Sequence, residues 1–154
     1  MYNFSFGPKI TILFVPDKPG TFKVQMTPSE NFSASFLVDM ESSLHQNFLI
    51  WLEAYGKKEP PPLDFLPRQI IPSFQETVLS TLITVPFGKT VSYGELALLS
   101  GHQKAARAVG TVCKKNKFPL FIPCHRVLQS SGALGEFAFG SPLKKRLLAF
   151  EAST

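Results

Sequence analysis

Cys124 and His125 are the residues of this sequence best suited to covalent chemistry. An ionised thiol is a nucleophile, and a neighbouring imidazole is a base that can help it ionise. Both lie in Ile122-Pro123-Cys124-His125-Arg126-Val127, reached through Asn116-Lys117-Phe118-Pro119-Leu120-Phe121. This apolar run reads as strand-like, with Pro123 stiffening the backbone just before the thiol. Adjacent side chains on an extended segment point to opposite faces, so His125 is expected to reach Cys124 through a turn or a bridging water rather than directly. A second reading stands beside this one, because a cysteine in an apolar segment is commonly just a small buried hydrophobe.

The charge around this run suggests what it could meet. Residues 1–100 hold seven Lys/Arg against nine Asp/Glu, whereas residues 101–154 hold nine against two, so the net +5 comes from the last third. Such asymmetry fits a polyanionic partner, most simply a nucleic acid, although a solvated basic face is the alternative. A chain of 154 residues, 44% hydrophobic with 15 phenylalanines, can bury the core of one ordinary domain or of two small ones. Its two cysteines, Cys113 and Cys124, make neither a disulfide framework nor a metal cluster, so a reducing compartment is expected. There is no charged-then-apolar leader pattern and no run of membrane-spanning length, so the expectation is a cytoplasmic protein, nuclear in a nucleated cell, with no membrane partner.

The elements that must position the thiol fall into two groups. Ile10 to Val15 and Thr21 to Met26 read as a hairpin across the turn residues Asp17-Lys18-Pro19-Gly20, and Phe32, Ala34, Phe36 and Val38 alternate as a third strand. From Glu41 the period becomes helical, with Leu44, Phe48, Trp51 or Leu52, and Tyr55 on one face, and Gly56 is placed to end the element. The prolines of Lys57 to Pro67 can continue neither helix nor central strand. A boundary is therefore expected there, separating an N-terminal α/β scaffold, residues 1–66, from a second domain, residues 67–154.

The second domain reads as helical. Ser73 with Glu76 and Ser92 with Glu95 are capping-box patterns. The first opens a helix stopped by Pro86, and the second a short helix closed by Gly101. A third helix is expected from about Gln103 to Lys114, so the pair has the form of a helix-turn-helix. On its exposed side Lys104, Arg107, Thr111 and Lys114 recur at three- and four-residue spacing, flanked by the small Ala106 and Gly110. Small residues allow close approach of a flat partner, and the long cations suit a phosphate-lined groove. A solvated amphipathic helix is the alternative.

The strings SYGELA (92–97), AARAVG (105–110), NKFPLFIPCHRV (116–127) and SSGALGEFAFG (130–140), in this order and spacing, resemble the O6-alkylguanine-DNA alkyltransferases, or methylated-DNA-protein-cysteine methyltransferases. The likeness runs almost continuously over residues 73–151. It implies a mixed α+β fold, with a small ribonuclease-H-like α/β domain before a helical domain containing the helix-turn-helix. It also implies direct-reversal DNA repair by a monomer without cofactor or metal. The recognition helix enters the minor groove of double-stranded DNA, an O6-alkylguanine is flipped out, and its alkyl group passes irreversibly to the cysteine. O4-alkylthymine is the expected lesser substrate.

Carried over by motif, Cys124 would accept the alkyl group, His125 would act as base through a water, Glu151 would orient the histidine, and Asn116 would brace the turn. Arg107 would replace the flipped nucleotide in the base stack. Tyr93 would help expel the base and donate a hydrogen bond toward guanine O6. Lys104, Ala106, Thr111 and Lys114 would contact DNA. Pro119, Val127, Ala138 and Phe139 would line the base pocket, with the carbonyls of Cys124 and Val127 reading the guanine 2-amino group and the Ala138 amide contacting O6. Phe137, Ala138 and Phe139 stand where the family commonly has tyrosine, a small residue such as serine, and glycine, so Phe139 is expected to limit the alkyl size.

Two rivals differ in class. A lesion-sensing, non-repairing DNA-binding module resembling the alkyltransferase-like proteins would carry another residue at the cysteine position, and here the cysteine is present. A cysteine hydrolase would turn over repeatedly on a peptide or ester, for which no substrate groove is marked.

Overall fold

The computed structural model describes residues 1–153; Thr154, the last residue of the expected second domain, lies outside the described residues. The chain divides into two compact units, Met1–Arg68 and Gln69–Thr154.

In the first unit four strands form one sheet: β1 (Tyr2–Asn3), β2 (Ile10–Pro16), β3 (Phe22–Pro28) and β4 (Ser33–Phe36), in the order β1-β4-β2-β3. β2 and β3 make the expected antiparallel hairpin. Gly20 supplies its left-handed turn residue at φ 78°. β4 runs parallel to β2. Alternation buries Ile10, Ile12, Phe14, Val24, Met26 and Ala34, and helix α1 (Ser42–Gly56) covers that face with Phe48, Trp51, Leu52 and Tyr55. The Phe14 ring lies 4.2 Å from Phe36 and 4.8 Å from Phe48, tying strand to strand and sheet to helix. Gly56 is the last residue of the helix rather than the one after it, and the Phe6 carbonyl packs so closely against it that no Cβ would fit. The left-handed residue after the helix is Lys58, at φ 66°.

The second unit is mainly helical: α2 (Ser73–Ile83), β5 (Val91–Ser92), α3 (Tyr93–Leu99), α4 (Ala106–Lys114), β6 (Val127–Leu128) and α5 (Ser141–Ala152). The fold is therefore mixed α+β, as expected, with α3 and α4 forming the helix-turn-helix. The Ser92–Glu95 capping box is present in both directions. The Ser73–Glu76 box is not: Ser73 is already the first helical residue, Pro72 holds the cap position, and the Glu76 amide bonds to the Pro72 carbonyl. α2 also ends at Ile83, ahead of Pro86.

Helix α4 is shorter than expected. It starts at Ala106 rather than near Gln103, because Ala105 bonds back to His102 in a turn and Lys104 takes a left-handed backbone at φ 70°. Lys104 therefore leaves the helical stripe that keeps Arg107, Thr111 and Lys114. Among the described residues no helix is long and apolar enough to cross a membrane.

Candidate active site

The run expected to be extended is folded back on itself. Leu120 is left-handed at φ 74°, Pro119 and Ile122 meet in an isolated bridge, and Cys124–Arg126 form one turn of 3-10 helix. The opposite-faces expectation therefore loses its basis, since a tight turn, not a strand, aims the Cys124 and His125 side chains. Asn116 closes the loop: its Nδ2 donates to the Ile122 carbonyl at 2.8 Å, and its Oδ1 accepts from the Phe118 amide at 3.0 Å. Beyond the turn, β6 pairs in parallel with β5, directly before α3. The thiol is thus fixed to the helix-turn-helix by backbone hydrogen bonds as well as by chain connection.

Behind the thiol lies a buried charged cluster. His125 is fully buried, and its Nε2 sits 2.6 Å from Glu151 Oε2 on α5. Arg126 donates to the same carboxylate through Nε at 2.8 Å and Nη2 at 3.3 Å, and to the Val85 carbonyl through Nη1 at 2.8 Å. The Gly88 amide adds a donor at 3.3 Å. Burial alone would raise the Glu151 carboxyl, but the hydrogen bonds from His125 and Arg126 and the charge of Arg126 outweigh it and hold the group at about 2. Burial pushes the imidazole the other way, below its ordinary value, although Glu151 opposes this. A neutral imidazole beside a carboxylate must carry its proton on Nε2. Nδ1 is then a lone-pair base, and it has no hydrogen-bond partner among the described residues.

The Cys124 thiol is raised by burial, opposed by its hydrogen bond to Asn116 and by the Lys144 ammonium. Lys144 is buried on α5, and its Nζ donates to the carbonyls of Val127 and Leu134, both at 2.6 Å. It also faces the rings of Tyr93 and Phe137, each at 5.9 Å. Burial, then the negative charge of nearby ionised groups, pushes the Tyr93 phenol up to about 12, so it remains a proton donor.

These groups meet at a narrow cavity lined by Tyr93, Asn116, Pro119, Cys124, Ala138 and Phe139, all expected there or at the site. Gly110, Cys113, Lys114, Glu136 and Phe137 complete the wall. Val127 is buried but not part of the lining; its carbonyl accepts from Lys144. Arg107 and Thr111 are exposed on α4, Ala106 is half-buried there, and Lys114 is paired with Glu136 at the cavity.

Arg126 and Lys144 were not singled out from the sequence. Lys144 follows Leu143 and precedes Leu147 and Glu151 at helical spacing, a signal that places it on the inner side of α5. Cys113, buried near the end of α4, also lines the cavity shared with Cys124.

The profile of the 6-O-methylguanine DNA methyltransferase DNA-binding domain matches residues 73–153, more than half of the chain. The chain belongs to that family. Its relatives include the mouse methylated-DNA–protein-cysteine methyltransferase, 46% identical over 110 residues, covering 66% of this chain and 52% of the mouse protein. The bifunctional transcriptional activator/DNA repair enzyme Ada of Escherichia coli is 45% identical over 80 residues, covering 52% of this chain and 23% of Ada. The chain spans about half the length of the first of these relatives. Among solved family structures, Mycobacterium tuberculosis OGT in complex with DNA aligns over 92% of each chain at TM-score 0.67 and 26% identity. The cavity, the buried cluster and the helix-turn-helix all fall within the matched segment.

Proposed function

We propose that this protein repairs DNA by removing the alkyl group of O6-alkylguanine, and less efficiently of O4-alkylthymine, onto Cys124 in a single turnover. The observation that carries this reading is the cavity at the end of α4: it gathers Cys124, Tyr93 and Asn116, with the His125–Glu151 pair behind. Residues 1–66 serve as scaffold and residues 67–154 carry the DNA-binding and acceptor functions.

Chemically, the thiol proton passes through water to the free Nδ1 of His125, whose growing charge is stabilised by Glu151. The thiolate sulfur attacks the alkyl carbon, an S–C bond forms, and the C–O6 bond breaks with its electron pair going to the guanine. Tyr93 donates a hydrogen bond to O6 as charge develops there. The thioether that results has no leaving group and no solvent route to cleavage, so the protein is spent.

For the DNA step, Arg107 enters the stack from the minor groove while Ala106, Thr111 and Lys114 lie along the backbone. Base flipping costs a few kcal/mol, least at a damaged pair. Arg107→Ala is therefore expected to slow transfer from duplex DNA by about tenfold or more while sparing reaction with the free alkylated base. Equal losses on both substrates would rule out the stacking role. With excess duplex carrying O6-methylguanine, repair should plateau at one lesion per protein; continued turnover would contradict the proposal and favour a hydrolase.

A further inference from the structure

The space inside the cavity is about 20 Å3, room for about one water but not for a purine. A wall must move before any base can enter. The segment Glu136 to Phe139 forms one wall, and both flanking glycines have left-handed backbone, Gly135 at φ 71° and Gly140 at φ 92°. It is thus a four-residue flap with a conformationally free residue at each end. Inside, Phe137 and Phe139 meet edge-on at 5.7 Å. Outside, the Glu136 carboxylate reaches Lys114 Nζ at 2.6 Å.

Lys114 is the last residue of α4 and the end of the stripe begun by Arg107 and Thr111. Any polyanion tracking that stripe arrives at the ammonium that holds the flap. We propose that the Lys114–Glu136 ion pair is a latch that makes Cys124 selective for a base delivered on nucleic acid, a phosphate displacing Glu136 from Lys114 and so freeing the flap. Selectivity against the free alkylated purine follows, because a neutral base brings no competing anion. Both side chains are mostly exposed, at 60% and 79%, so the pair is weak enough to be released and is weakened by salt. The proposal rests on Cys124 as alkyl acceptor, but it can be tested separately.

The first test reads access to the thiol without DNA. The rate of Cys124 alkylation by iodoacetamide, followed by peptide mass mapping to separate it from Cys113, is measured over a range of sodium chloride concentrations. The wild-type rate should rise with salt. Glu136→Gln and Lys114→Gln should each be faster at low salt by about two- to fivefold, the range open to one exposed ion pair, and should lose the salt dependence. The second test compares transfer from duplex DNA with transfer from free O6-methylguanine, where Glu136→Gln should lower the duplex-to-free rate ratio. Wild-type iodoacetamide rates in both variants at every salt concentration would overturn the latch, as would an unchanged duplex-to-free ratio. If the iodoacetamide results hold while duplex DNA transfers nothing to Cys124, the latch stands and the acceptor reading fails.

Discussion

Replacing Glu151 with alanine is expected to cost about 3–5 kcal/mol of folding stability, because it strands the buried Arg126 guanidinium without its carboxylate. The same change removes the partner that fixes the proton of His125 on Nε2, so alkyl transfer should fall about a hundredfold or more. Urea unfolding and single-turnover kinetics measure the two effects separately. Acid sensitivity gives an independent check. The Glu151 carboxyl lies at about 2 in the folded chain against an ordinary 4.5. Its contribution is therefore complete above the ordinary value and is lost as pH falls from there toward 2. Glu151→Gln should lack that part of the acid destabilisation. A variant as stable and as reactive as the wild type would refute the assignment of Glu151.

Lys144→Met should give the second large effect. The methionine keeps the apolar stem but leaves the Val127 and Leu134 carbonyls without their donor, costing about 1–3 kcal/mol. More informative is the thiol. The Lys144 ammonium favours the thiolate of Cys124, so its loss should raise the thiol pKa and move the pH profile of alkyl transfer to higher pH. A move of one pH unit would lower the neutral-pH rate about tenfold. A slower variant with an unmoved profile would mean that Lys144 acts only by packing.

Much of the architecture could be read in the sequence because it repeats locally. In the β2–β3 hairpin an apolar run and the alternating Phe22, Val24 and Met26 flank turn residues, and the Ser92–Glu95 box marks the start of α3 with two side chains. The pieces that escaped have no such repetition. β1, β5 and β6 are two residues each, too short for any period, and their pairing depends on distant partners. The run before Cys124 has strand composition, but the left-handed Leu120 and the bonds made by Asn116 override that preference. Composition cannot encode such a turn when the residue adopting it is leucine.

The candidate site divides in the same way. Cys124, His125 and Asn116 stand in one contiguous segment. Lys144 sits in the basic run Lys144-Lys145-Arg146, and its helical spacing to Leu147 and Glu151 is the one mark that separates it from the two cations that follow. Arg126 is masked by the Cys-His pair that it follows, and its importance appears only with Glu151 beside it.

The central claim, that Cys124 is the alkyl acceptor, is tested most directly by tracing the group itself. Wild-type protein and Cys124→Ser are incubated with duplex DNA carrying O6-[methyl-labelled]guanine, digested and mapped. One label per wild-type chain on the peptide containing Cys124, and none on the serine variant, is the result expected. Label on any other residue, or transfer that survives Cys124→Ser, would contradict it.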